Sequence, residues 1–160
     1  MSDSSSLLVV LETAAKARDE AVAELESGRR AYDAARQQSQ SLSDWRRDYQ
    51  VRWQNQFRQT GGMEIMRCYQ DFMLRLGDAV SEQDRRVELA KAHMDRCRTQ
   101  LLERERKVAA VTQLLERRQA ELLLRQNRQD QKATDEVAAR AGRHGRGLEA
   151  GSDPMSSGSY

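Results

Sequence analysis

The sequence predicts an all-α fold: two long helices forming an antiparallel coiled-coil hairpin, with a disordered C-terminal tail. Three observations carry this. The chain of 160 residues holds one Pro and 32% Asp, Glu, Lys and Arg, the composition of long helices rather than of a globular core. Hydrophobic residues at 38% and aromatics at 5% suffice only for a narrow apolar seam. Such a seam is visible twice, and a Gly-Gly step separates the two runs.

Helix one is expected over about residues 5–58. Asp3-Ser4-Ser5-Ser6 offers capping oxygens, and a 4,3 spacing then runs Leu7, Leu11, Ala14, Arg18, Ala21, Leu25, Gly28, Tyr32, Ala35, Ser39, Leu42, Arg46, Tyr49, Trp53. Its polar members make the middle of this seam weak. Thr60-Gly61-Gly62 is the expected turn, where Gly can take up positive φ and redirect the chain. Helix two is expected over about 63–141. Its register runs Met66, Tyr69, Met73, Leu76, Val80, Gln83, Val87, Ala90, Met94, Cys97, Leu101, Arg104, Val108, Val111, Leu115, Arg118, Leu122, without a phase slip. Neither helix can bury its stripe alone, so a short turn sets them antiparallel, within one domain spanning 1–141. Folding about residue 61 sets Leu7 near Leu115 and Tyr49 near Met73, and leaves helix two unpartnered beyond about residue 118. The seam residues suit an intermolecular bundle as well. Residues 142–160, rich in Gly and Ser, read as a disordered tail with a basic start at Arg143, His144 and Arg146.

The same residues argue against several functions. Twenty-seven basic and 25 acidic residues are interspersed, which leaves no cationic face for nucleic acid. No apolar run approaches the ~20 residues of a membrane span, and Leu7–Leu11 is too short for a secretory core, so a cytoplasmic protein without direct membrane insertion is expected. Cys68 and Cys97 lie on one helix, ~44 Å apart at ~1.5 Å per residue, and cannot bridge within one chain. A filled two-helix seam offers no pocket, and the phosphate-loop, dinucleotide, nucleophile-elbow and HExxH motifs are absent. No catalytic residue, cofactor, metal or small-molecule substrate is expected. His93 and Cys97 share a helix face, yet zinc needs further ligands, and a core Cys beside a solvated His accounts for both.

Two regions stand above this background. Trp45, Tyr49, Trp53, Phe57, Tyr69 and Phe72 gather near the turn. A spacing of four drifts around a helix, so Trp45, Tyr49, Trp53 and Phe57 cannot all enter one seam. They either stiffen the hairpin end or form an aromatic docking face with Tyr69. The second region is the stretch Arg117–Arg140, where Leu122, Leu123 and Leu124 sit among arginines with no internal partner. It either frays or binds another protein as an amphipathic helix.

Three strings then give a resemblance. Asp44-Trp45-Arg46-Arg47-Asp48-Tyr49 closes helix one, Tyr69-Gln70-Asp71-Phe72 with Leu76 and Ala79 opens helix two, and Asn127-Arg128-Gln129-Asp130-Gln131-Lys132 with Asp135-Glu136 lies near the end. In order and spacing they resemble the FliJ family of the bacterial flagellar protein-export apparatus, over roughly residues 1–141. The resemblance implies a non-enzymatic, stalk-like coiled coil, cytoplasmic and peripheral to the inner membrane at the flagellar base. It implies contacts with the flagellum-specific export ATPase ring, the membrane export-gate protein and export-substrate chaperones. Carried over by position, Phe72, Leu76, Ala79 and Gln83 would meet the gate; Arg128, Asp130, Gln131, Lys132, Asp135 and Glu136 would meet the ATPase. The stalk of a virulence-type secretion system and a generic coiled-coil scaffold are the competing readings.

Overall fold

The computed structural model of the protein describes residues 3–59 and 61–149. Two helices account for nearly all of them: α1, Asp3–Gln59, and α2, Met63–Glu149. They pack side by side as an antiparallel hairpin. The pairings fall about residue 61 as the seam requires: Tyr49 meets Phe72, Trp53 meets Tyr69, and Gly28 lies against Met94.

The hydrophobic periodicity is what closes the hairpin. Along α1 every seam position is buried or half-buried except Arg46, and along α2 every one except Met66, Arg104 and Leu122. Those exceptions have simple causes. Arg46 and Arg104 keep their charge in water. Met66 sits beside the turn, and Leu122 lies at the other end of the rod, where the seam runs out at the first turn of α1. Arg18 is half-buried in the seam by its stem, while its guanidinium reaches the exposed Asp19, Nη2 to Oδ1 at 3.1 Å.

Small residues of α1 meet larger ones of α2. Ala14, Ala21 and Gly28 recur every seven residues and are buried, as are Leu76, Met94, Cys97 and Leu115 across the hairpin. Gly28 marks a close approach: a Cβ there would lie 3.6 Å from the Met94 Cα and 3.9 Å from the Cys97 Sγ. Those are ordinary contacts, so one methyl fits without displacement. Gly28→Ala is therefore expected to stabilise the hairpin by up to about 1 kcal/mol, the helix-propensity difference, read as a rise in the urea midpoint. Gly28→Leu drives a side chain into the α2 backbone and is expected to lower the midpoint, by about 1–3 kcal/mol.

Two polar contacts pin the register midway along. Gln83, 5% exposed, donates from Nε2 to the Ala35 carbonyl at 3.0 Å, and the Ser39 hydroxyl donates to Asp84 Oδ1 at 2.7 Å. A one-turn slip would strand the buried Gln83 amide, which costs more than the bond itself contributes. On the outer faces Lys16–Glu12 and Arg86–Glu82 form spaced i,i+4 pairs, exposed and worth a few tenths of a kcal/mol each, about 0.3–0.5.

Two local expectations change. Gly61 and Gly62 leave the helical pattern, but neither takes a positive φ. The reversal rests instead on the poor helix propensity of adjacent glycines, and α2 starts at once, with the Met66 amide donating to the Gly62 carbonyl at 3.2 Å. Thr60 lies outside the described residues. Helix two also continues past the expected end at 141 to Glu149. Gly142, Gly145 and Gly147 are tolerated in it at roughly 1 kcal/mol each because no packing contact opposes or requires a side chain there. Of the expected disordered tail, residues 150–160 lie outside the described residues.

Candidate functional site

Among the described residues the hairpin has no enclosed cavity large enough to exclude water from a substrate; its concavities are open grooves between side chains. Chemistry-bearing groups are correspondingly dispersed. Cys97 Sγ lies 3.6 Å from His93 Nε2, with the thiol buried and the imidazole exposed, and no three His, Cys, Asp or Glu side chains among the described residues converge on a point. The surfaces that stand out are the two ends of the rod.

At the hairpin tip the four-residue spacing on α1 builds a ladder. Trp45 and Tyr49 lie 6.1 Å apart, Tyr49 and Trp53 6.4 Å, Trp53 and Phe57 6.0 Å. Tyr69 and Phe72 of α2 close on it: Tyr49 to Phe72 at 4.5 Å, Trp53 to Tyr69 at 5.1 Å, Phe57 to Tyr69 at 6.3 Å. The drift expected of that spacing shows in the burial. Tyr49, Trp53, Phe57, Tyr69 and Phe72 are half-buried between the helices, whereas Trp45 stands out at 54% exposed. Most of the cluster thus stiffens the tip, and Trp45 is the member left in water.

The string Phe72, Leu76, Ala79, Gln83 divides in the same way. Ala79 is exposed and Phe72 half-buried, but Leu76 and Gln83 are each only 5% exposed. Leu76 and Gln83 occupy the seam, so in this hairpin they hold the surface from beneath and do not offer themselves to a partner. Periodicity placed both on the seam already; their depth comes from α1 closing over them. Sequence reasoning passed over the apolar surface beside this string. Met63, Leu74 and Ile65 are exposed around the tip, and Leu74 lines a groove with Tyr69, Met73 and Arg46. The signal was their position off the 4,3 seam.

The opposite end is an overhang. Arg118 is the last half-buried residue of α2, and from Gln119 to Gly147 every residue is exposed. Helix continues through all of it, roughly 45 Å beyond α1 at ~1.5 Å per residue. Leu122, Leu123 and Leu124 are uncovered, as is Val137. Arg128, Asp130, Gln131, Lys132, Asp135 and Glu136 are all on this free helix and all exposed. The Thr134 hydroxyl returns its hydrogen bond to the Asp130 carbonyl at 2.8 Å.

A hairpin with one long unpartnered arm is a shape shared by many coiled coils, and the comparison with protein families distinguishes among them. The family model of the flagellar FliJ protein matches residues 3–147. The chain belongs to the flagellar FliJ protein family. The match runs through both helices, the tip and nearly the whole overhang, so the resemblance carried by three short strings extends over the described chain. No curated protein and no solved structure matches the chain significantly. As a FliJ protein it is a component of the flagellar export apparatus. No helix among the described residues is long and apolar enough to cross a membrane.

Proposed function

We propose that the chain is a non-enzymatic stalk of the flagellar export apparatus, working in the cytoplasm and peripherally at the inner membrane. It contacts the export ATPase ring through its overhang, and the export gate and substrate chaperones through the rest of its surface. The overhang is the observation that carries this reading. An intramolecular coiled coil gives no reason to extend α2 so far past the start of α1, or to keep Leu122, Leu123 and Leu124 in water. A second protein that covers them supplies the reason. Arg128, Asp130, Gln131, Lys132, Asp135 and Glu136 would then set orientation and register. A stiff helical rod can bind several subunits of a ring at once and so favour its assembly. Purified chain added to the export ATPase is expected to raise its nucleotide turnover while showing none alone; unchanged turnover contradicts the reading.

For the gate, Ala79 and the open edge of Phe72 form the contact, extended by the neighbouring exposed Leu74, with Leu76 and Gln83 as the support below. Phe72→Ala is expected to weaken capture of the gate's cytoplasmic domain several-fold, roughly what losing a 1–2 kcal/mol interface contact does. Helicity by circular dichroism is expected to be unchanged, because Phe72 is only half-buried. A parallel fall in helicity would reassign Phe72 to the core.

A further inference from the structure

The overhang carries a neutral face on the side away from α1, and of the string proposed to meet the ATPase only Gln131 lies within it. Leu124, Gln131 and Ala138 recur every seven residues, and Asn127, Thr134 and Ala141 fall between them, so a charge-free line runs along an exposed helix. Nine residues separate Leu115 from Leu124, and Arg118 from Asn127. Nine residues are about two and a half turns, which sets this line on the opposite side of α2 from the seam that holds α1. Leu123 and Val137 flank it, 59% and 66% exposed.

Charge decides what fits there. Arg128 and Asp135 border the same edge of the line one heptad apart. Along a single helix that is about 10 Å, too far to pair, and neither has an ion-pair or hydrogen-bond partner among the described residues. A second copy of the same helix laid antiparallel, with the two-fold axis passing between Gln131 and Lys132, brings Arg128 of each chain beside Asp135 of the other. In antiparallel coiled coils equivalent flanking positions face each other, so one operation makes both pairs at once. The same placement sets Leu124 against the small Ala138 and Ala141 of the other chain and stacks the amides and hydroxyls of Asn127, Gln131 and Thr134 between the helices. The hairpins then point away from each other and do not collide.

We infer that the overhang is a self-association surface: two copies pair antiparallel through the face of Leu124, Asn127, Gln131, Thr134, Ala138 and Ala141, in the register set by reciprocal Arg128–Asp135 pairs. The polar centre and short apolar content make this a weak, reversible dimer of the kind that small interfaces form. Since Arg128 and Asp135 also belong to the string proposed to meet the ATPase, self-association and ATPase binding compete.

Sedimentation equilibrium of the full chain alone, over a wide concentration range, tests this independently of the ATPase reading. A monomer–dimer equilibrium is expected, with scattering giving a dimer roughly one and a half times as long as the monomer. Arg128→Asp and Asp135→Arg singly are each expected to weaken the dimer roughly tenfold or more, since each puts like charges together twice. The double swap Arg128→Asp with Asp135→Arg restores it. All three variants change exposed residues and are expected to keep the thermal transition of the hairpin. A chain monomeric at every concentration, a dimer indifferent to both single reversals, or a double swap no better than the singles would each overturn the inference. Loss of ATPase stimulation in variants of a strictly monomeric chain would give this face to the ATPase instead.

Discussion

Cutting the chain after Glu121 is expected to abolish its stimulation of the export ATPase while leaving the thermal transition of the hairpin nearly where it was. The two halves of that result have separate physical origins. Stability resides in the seam, whose buried residues run from Leu76 to Leu115 on α2 and from Ala14 to Gly28 on α1, and the cut removes none of them. Leu122, the first seam position lost, is already half in water at 49% exposed. Binding, on the proposed reading, draws on what the cut removes. Each of Leu122, Leu123 and Leu124 adds ~1.5–3 kcal/mol if fully enclosed by the partner, and the charged string supplies orientation. Losing even one such side chain weakens a complex by a factor of ten or more, at about 1.4 kcal/mol per decade. A truncated chain that still stimulates would move the contact to the tip, with Trp45 the first residue to change.

Leu76 is expected to give the opposite pattern. Leu76→Ala removes a buried side chain from between the helices beside the aromatic ladder, and the cavity and lost transfer energy together cost about 2–4 kcal/mol. Leu76→Asp costs more, since the carboxylate has no partner in the seam. Melting temperature, helicity at the tip and gate capture are all expected to fall together, in contrast to Phe72→Ala, where capture falls with helicity kept. If Leu76→Ala lowers gate capture at full stability, the side chain reaches the partner directly, and α1 must part from α2 for it to do so.

The difference between Phe72 and Leu76 shows what the sequence could reveal. A 4,3 repeat of apolar residues states which side of a helix is dry, and on that basis the hairpin, its register about residue 61 and the unpartnered arm were all legible. Depth was not. Gln83 stood in the seam as a polar residue, and only the Ala35 carbonyl brought within 3.0 Å by α1 explains how it is buried. The aromatic cluster was legible as a cluster, but its division into half-buried Tyr49, Trp53, Phe57, Tyr69 and Phe72 and an outlying Trp45 depended on how a four-residue spacing drifts against a second helix. The end of α2 was misjudged because glycines weaken a helix without forbidding it: Gly142, Gly145 and Gly147 cost propensity, and no competing contact draws the chain elsewhere. The glycine turn was found for a reason that did not hold, since neither Gly61 nor Gly62 needs a left-handed backbone. The overhang's neutral face, lying opposite the seam, was not legible because Asn127, Gln131 and Thr134 interrupt any apolar repeat there.

This rod serves flagellar export and, on the proposed reading, does so through its overhang. Deleting its gene in a flagellated host and restoring it in trans tests both parts, with swimming and filament assembly as the readout. The deletion strain is expected to lack filaments and motility and to keep any virulence-type secretion intact. The full-length chain restores swimming, whereas a chain ending at Glu121, present at the same level, does not. Normal motility in the deletion strain would contradict the role in flagellar export, and full rescue by the truncated chain would contradict the role of the overhang.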